Sequence, residues 1–240
     1  MIITRRSILT AALAFAATGA CADDREEYTE YPFVDYFSRS SPRTRGLSQS
    51  TPPDIAAAKR IASSMPNDNH FSVMESLSQI KETGSTGEVF NSRWKKTANP
   101  LIVLFFHDIG YKETYLPGDC TPWCAATVAW CLKRTGMSIP SSPASSQSYL
   151  HYGARVTDPR PGDLCIFAGV NDTSAGHLGL FVSRAGDKLR ILGGNQTGQS
   201  ATNCGPGYRQ SKICVTEFPI NEARSPSVGI HYLSAYVRPV

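Results

Sequence analysis

The chain has 240 residues, 41% of them apolar and 18% charged. That balance excludes a disordered, collagenous or fibrous chain and allows one sizeable core. A formal charge of +4 is too small to argue for a nucleic-acid partner.

Residues 1–22 read as an export signal. Arg5 and Arg6 form a basic start, Ile8 to Ala17 an apolar stretch, and Ala20, Cys21 and Ala22 fit an A-x-A cleavage site. The run from Thr4 to Leu9 resembles a twin-arginine signal, with ordinary Sec export as the alternative. The apolar run falls short of the roughly 20 residues that span a bilayer. Lipidation at Cys21 is disfavoured, because "TGAC" lacks an aliphatic residue three places before the cysteine. A periplasmic or secreted product is expected. Cleavage lowers the charge from +4 to +2, since Arg5 and Arg6 leave and no acid does. It also leaves six of the seven cysteines, and in an oxidising compartment these default to a disulfide framework.

Residues 23–52 are polar and rich in Ser, Pro and Arg without periodicity, as in a low-order leader or linker. Residues 53–97 read as a helical N-terminal extension: "PDIAAAKRIASSM" opens on proline with Ile55, Ala58 and Ile61 on one face, and "FSVMESLSQI" follows with similar spacing. Residues 98–240 form the main domain. In "ANPLIVLFFHDIGY", Asn99 suits an N-cap and Pro100 the first helical position, although a short apolar run also suits a buried strand. In "TPWCAATVAWCLKRTG", Thr121 as cap, Pro122 at the first position and Gly136 as stop predict a helix over 122–135. A Ser/Pro loop, a short helical stretch at "SQSYLHYG" and a sharp turn at "PRPGD" come next. The strands "LCIFA", "HLGLFVS", "KLRILGG", "ICVTEF" and "YLSAYV" complete the chain. Helices first and a meander of strands second predict an α+β domain with an antiparallel sheet.

Three cysteines crowd into "GDCTPWCAATVAWC". Counted from a Thr121 cap, Cys124 is the third helical residue, where unpaired amides and the helix dipole favour a thiolate. Cys131 shares a face with Cys124 and Val128 and reads as a small buried hydrophobe, as does Cys165 between Leu164 and Ile166. Cys204 and Cys214 flank a turn-rich connection that a disulfide would close. Cys120 precedes the helix and stands open as disulfide partner or bystander. Zinc is disfavoured, because no second ligand pair accompanies Cys120, Cys124 and His177. No metal or cofactor is expected.

A nucleophilic cysteine needs a base, and the base an orienting group. Of the histidines, only His177 opens a strand directly after a glycine. A tight turn at "RAGD" sets His177 opposite Gly194 or Asn195, so the Asn195 amide is the candidate to fix the imidazole tautomer. Trp123 suits the cleft beside the nucleophile or, equally, the core.

In order, "TPWCAATVAWCLKRTG", "PRPGDLCIF", "GHLGLFV" and "LRILGGNQ" resemble the CHAP-type (cysteine, histidine-dependent amidohydrolase/peptidase) domains, within the papain-like superfamily and its cell-wall hydrolase branch. The resemblance covers residues 98–240 and leaves 23–97 without a counterpart. It implies a papain-like fold, with the nucleophile at a helix start packed on an antiparallel sheet. The family's nucleophile, base and orienting residue fall on Cys124, His177 and Asn195. The implied activity is hydrolysis of a peptidoglycan amide, at the N-acetylmuramoyl-L-alanine bond or within the peptides, through a cysteine acyl-enzyme. Thr127 departs from the family's more common aromatic. The expected partner is peptidoglycan, with a cognate inhibitor or immunity protein if the enzyme is deployed against competitors, and the chain is read as a monomer. Two alternatives stand: a catalytically silent wall-binding or inhibitor module, and a thiol protease acting on protein.

Overall fold

The computed structural model describes residues 50–240 apart from 96, 112–117, 120, 171–172, 175, 197–210, 221–222 and 226–228. The expected export signal and nearly all of the leader lie outside the described residues.

The helices begin where their capping residues put them. α1 (Pro52–Ser64) starts behind Thr51, whose hydroxyl accepts the Asp54 N–H at 3.3 Å. α2 (His70–Ser78) starts behind Asn69, which accepts the Ser72 N–H at 2.8 Å. α3 (Pro100–Asp108) is a helix rather than a strand: Asn99 caps the Leu101 N–H at 2.9 Å, and Pro100 loses no hydrogen bond in the first turn.

α4 (Cys124–Arg134) departs from expectation at its start. Thr121 gives its N–H to the Gly118 carbonyl in a turn at 3.0 Å, and Trp123 is the N-cap residue with no side-chain bond. The turn closed at Thr121 carries the chain past Pro122, and it enters the helix two residues late. The far end follows the pattern: Gly136 takes φ +76°, its N–H reaches Lys133 O at 3.0 Å, and the Met137 N–H reaches Leu132 O at 3.1 Å. A 3-10 helix (Ser146–His151) and the Gly162 turn (φ +95°) lead into the sheet.

The sheet comprises β1 (Ala154–Val156), β2 (Leu164–Gly169), β3 (Gly176–Ala185), β4 (Lys188–Gln196), β5 (Lys212–Pro219), β6 (Ala223–Ser225) and β7 (Gly229–Arg238), all paired antiparallel. The architecture is α+β. Strands β2 to β5 form the expected meander, but β7 returns to the other side of β2, giving the order β1-β7-β2-β3-β4-β5 with β6 beside β7. Phe167 of β2 and Phe218 of β5 pack with ring centroids 5.3 Å apart. A flat sheet would hold strands three places apart at about 14 Å, so this sheet curls over itself.

Curling gives the sheet an outer and an inner face. Leu164, Ile166, Leu178, Leu180 and Leu192 face the helices, with α4 against β3 and β4. Cys165, Phe167, Phe181, Leu189 and Ile191 fill the inner face, covered by Phe218, Leu233 and Tyr236. The outer core is continuous from Ile55 to Val237. Packing therefore runs across the boundary expected between residues 97 and 98, and the extension belongs to the same core. Asn99 stitches that join, donating to Phe90 O at 2.7 Å and Ser92 O at 2.6 Å.

Candidate active site

Cys124 is the first residue of α4, not the third, and is 5% exposed. β3 and β4 pair only from Leu180 and Leu192 onward, so the first residues of β3 have no ladder partner on the β4 side. The Leu178 N–H acts on the Cys124 thiol there, together with the N–H groups of Ala125 and Cys124. These donors favour a thiolate, but burial outweighs them and pushes the thiol up from its ordinary value. This corrects the expectation of a lowered thiol: the helix start supplies the amides, and the core around it withholds the water.

His177 follows a different course. It lies opposite Phe167 on β2, and directly opposed residues share a face. Its ring therefore joins the inner face, stacked on Phe218 at 5.4 Å with an interplanar angle of 24°. Burial first, and then His231, lower its pKa to about 3, so it is a free base at neutral pH. The structure thus brings the thiol to the peptide joining His177 to Leu178. Among the described residues no hydrogen bond joins thiol and imidazole, and such bonds are often long before substrate binds.

The amide on the imidazole belongs to Gln196, not Asn195. Gln196 is 3% exposed and lies 3.2 Å from His177 Nε2. One orientation satisfies its whole surroundings: Oε1 accepts from His177 Nε2 at 3.2 Å and the Gly193 N–H at 3.3 Å, while Nε2 donates to Cys214 O at 2.8 Å and Thr216 Oγ1 at 2.9 Å. Nε2–H is then the protonated position, and Nδ1 is left as the basic nitrogen. Asn195 is half-buried at φ +58°, where the β4–β5 register shifts. A bulge inserts one residue and reverses the alternation beyond it, so the expected residue gives way to its neighbour. The signal was present in "GGNQ", since asparagine is among the few side chains that tolerate the left-handed region.

Trp123 does not line an open cleft. It is fully buried, and a Cβ on Gly194 would come within 2.8 Å of its ring and 2.5 Å of Thr127 Oγ1. Glycine there lets α4 approach β4, so the indole takes its core reading. Cys131 and Cys165 are fully buried with thiols pushed far up by burial. Of the expected disulfide, Cys204 lies outside the described residues, as does Cys120. Cys214 is half-buried, with its sulfur 3.6 Å from Thr216 Oγ1.

One group escaped the sequence reading. Asp119, five positions before Cys124, is fully buried, and its Oδ2 accepts the Trp94 N–H at 2.9 Å and the Asn99 N–H at 3.0 Å. Burial raises its pKa to about 6 against the pull of those amides and of Arg93. It ties the loop before Cys124 to the N-terminal extension. An aspartate between glycine and cysteine gives no sign of partners twenty or more residues away.

Compared with known proteins, the chain matches no family model, no curated protein and no solved structure.

Proposed function

We propose that this chain is a peptidoglycan hydrolase of the CHAP type with a papain-like fold, exported to the periplasm or beyond, that cleaves a cell-wall amide through a cysteine acyl-enzyme. One observation carries the reading. A helix-start cysteine meets the backbone beside a strand-start histidine whose Nε2 is held by a buried amide.

At neutral pH the pair is a thiol and a neutral imidazole, not a resting ion pair. As Sγ attacks the amide carbonyl, His177 Nδ1 takes the thiol proton and a C–S bond forms. First-turn amides of α4 offer hydrogen bonds to the oxyanion. The C–N bond then breaks as imidazolium gives its proton to the leaving amine. Water, deprotonated by the same imidazole, hydrolyses the thioester and restores the thiol. The cleaved bond is the N-acetylmuramoyl-L-alanine amide or a peptide bond of the stem or cross-bridge.

The test is turbidity loss of purified sacculi, with mass spectrometry of the released fragments and casein as a protein substrate. The parent is expected to clear sacculi, spare casein, and lose activity in Cys124→Ala and His177→Ala. Clearing by both variants would sink the proposal, and cleavage of casein alone would replace it with a protein-directed thiol protease. A catalytically silent wall-binding module draws on the raised thiol and the missing thiol–imidazole bond. Labelling with a thiol-directed electrophile separates the two: fast modification at Cys124 supports the enzyme, and uniformly slow modification supports the module.

A further inference from the structure

Two consecutive amides at the end of the N-terminal extension go to opposite halves of the candidate site. The Arg93 N–H donates to Ser211 O at 2.9 Å, and the next one, of Trp94, donates to Asp119 Oδ2 at 2.9 Å. Ser211 leads directly into β5, where Lys212 lies opposite Gln196, the residue 3.2 Å from His177 Nε2. Asp119 lies in the turn closed by the Thr121 N–H on Gly118 O at 3.0 Å, from which the chain enters α4 at Cys124. We propose that this stretch is a brace for the site: Asn91, Arg93, Trp94 and Asn99 fix the start of α4 against the adjoining ends of β4 and β5, and Asp119 is the positioning residue through which Cys124 is held.

Neighbouring residues of a chain are held at a fixed spacing, so the Arg93–Trp94 peptide keeps Ser211 O and Asp119 Oδ2 within about 10 Å of each other. Each end of the brace has a second bond. On the sheet side the Ile213 N–H donates to Asn91 O at 2.8 Å, and Ser92 bridges Lys212. On the helix side the Asn99 N–H donates to Asp119 Oδ2 at 3.0 Å. The Asn99 side chain grips the brace from within, through its bonds to Phe90 O and Ser92 O. Arg93, Asn99 and Asp119 are fully buried, and a buried N–H that loses its acceptor finds no water in its place, so the bonds hold as a set. The apolar packing of α4 on β3 and β4 is non-directional, whereas these bonds set both a distance and an angle. The consequence for catalysis rests on reading Cys124 and His177 as the reacting pair. The link between the two ends of the brace does not.

Amide hydrogen exchange of the full chain tests the link. Asp119→Leu removes the acceptor of the Trp94 and Asn99 N–H groups, and the Ile213 amide at the other end of the brace is expected to exchange at least about tenfold faster while the amides of β7 keep their parental rates. Asn99→Ser keeps a helix-capping oxygen and loses the donors to Phe90 and Ser92. It should act in the same way, and it serves as the test if Asp119→Leu does not fold. Asp119→Asn, which keeps an oxygen acceptor for both N–H groups, should retain parental exchange. On sacculi, Asp119→Leu should lower kcat by about 10- to 100-fold with KM within about threefold, and Asp119→Asn should restore it. An unmoved Ile213 amide in a folded variant, or acceleration spread equally over β7, would overturn the brace, and a loss carried by KM alone would overturn the positioning role. None of these results touches the wall-hydrolase reading, which stands or falls in the sacculus assay of Cys124→Ala and His177→Ala.

Discussion

The two faces of the sheet do different work. The outer face is closed by leucines and isoleucine beneath the helices, with α4 drawn so near β4 that Gly194 has no room for a Cβ. The inner face is aromatic and holds His177 and His231 among Phe167 and Phe218. Cys124 belongs to the helix side and His177 to the inner side. The thiol reaches the backbone next to His177 only where β3 and β4 part, at the amide of Leu178. A site assembled at such a seam is open to perturbation from either side separately, and variants should sort accordingly.

The largest effect is expected at the seam. Cys124→Ala should lower sacculus clearance by about 1,000-fold or more, with a melting temperature close to that of the parent. From the inner side, Gln196→Ala should cost on the order of 100-fold in kcat by freeing the imidazole tautomer, and Asn195→Gly, which keeps the left-handed backbone, should stay within about threefold. A larger loss in Asn195→Gly would return the orienting role to Asn195.

Stability should separate the faces by the sign of its pH dependence. Asp119, on the helix side, has its pKa raised from 3.8 to about 6. The folded state holds its proton more tightly than the unfolded state. Its contribution is therefore fully present below pH 3.8 and is lost as pH rises through about 6, up to about 3 kcal/mol in all. His177, on the inner side, is lowered from 6.5 to about 3. Its neutral form is favoured, so its contribution is present above pH 6.5 and is lost as pH falls toward about 3. Urea unfolding across this range should show Asp119→Asn removing the first slope and leaving the second.

Gly194→Ala, aimed into Trp123 and Thr127, should cost about 1–3 kcal/mol. Gly179→Ala on the inner face should cost about as much, because its Cβ would come within 2.5 Å of Ile191 Cγ2, carried on a stiff β-branched carbon, and 3.1 Å of the Leu192 carbonyl. The smallest effect is expected away from both faces. Glu82→Gln, which removes the exposed pair with Arg60, should move the melting temperature by about 1 °C or less.

Local chemistry made much of this legible. Asn99 and Pro100 start α3, Gly136 stops α4, and alternation marks the strands of the meander, because each of these signals acts within a few residues. Errors arose where a distant partner or a single backbone torsion decided the outcome. Pro122 suggested an earlier helix start, yet the turn at Thr121 delayed it. Hairpin spacing points to the end of β4, but with Asn195 at positive φ the amide beside the His177 imidazole is that of Gln196. The thiol was expected to be acidic from its helix position, and burial reversed the direction.

The sequence by itself determined the order of the helices and of the five longer strands, the burial of Cys131 and Cys165, and the narrow set of side chains from which the candidate cysteine–histidine site is drawn. These follow from periodicity, capping and residue chemistry, which the chain carries locally. Only the tertiary structure decided that β7 lies beside β2, that the sheet curls until Phe218 stacks on His177, and that Asp119 binds the amides of Trp94 and Asn99. Those contacts join residues far apart in the chain, and their energies depend on what the rest of the core leaves unoccupied.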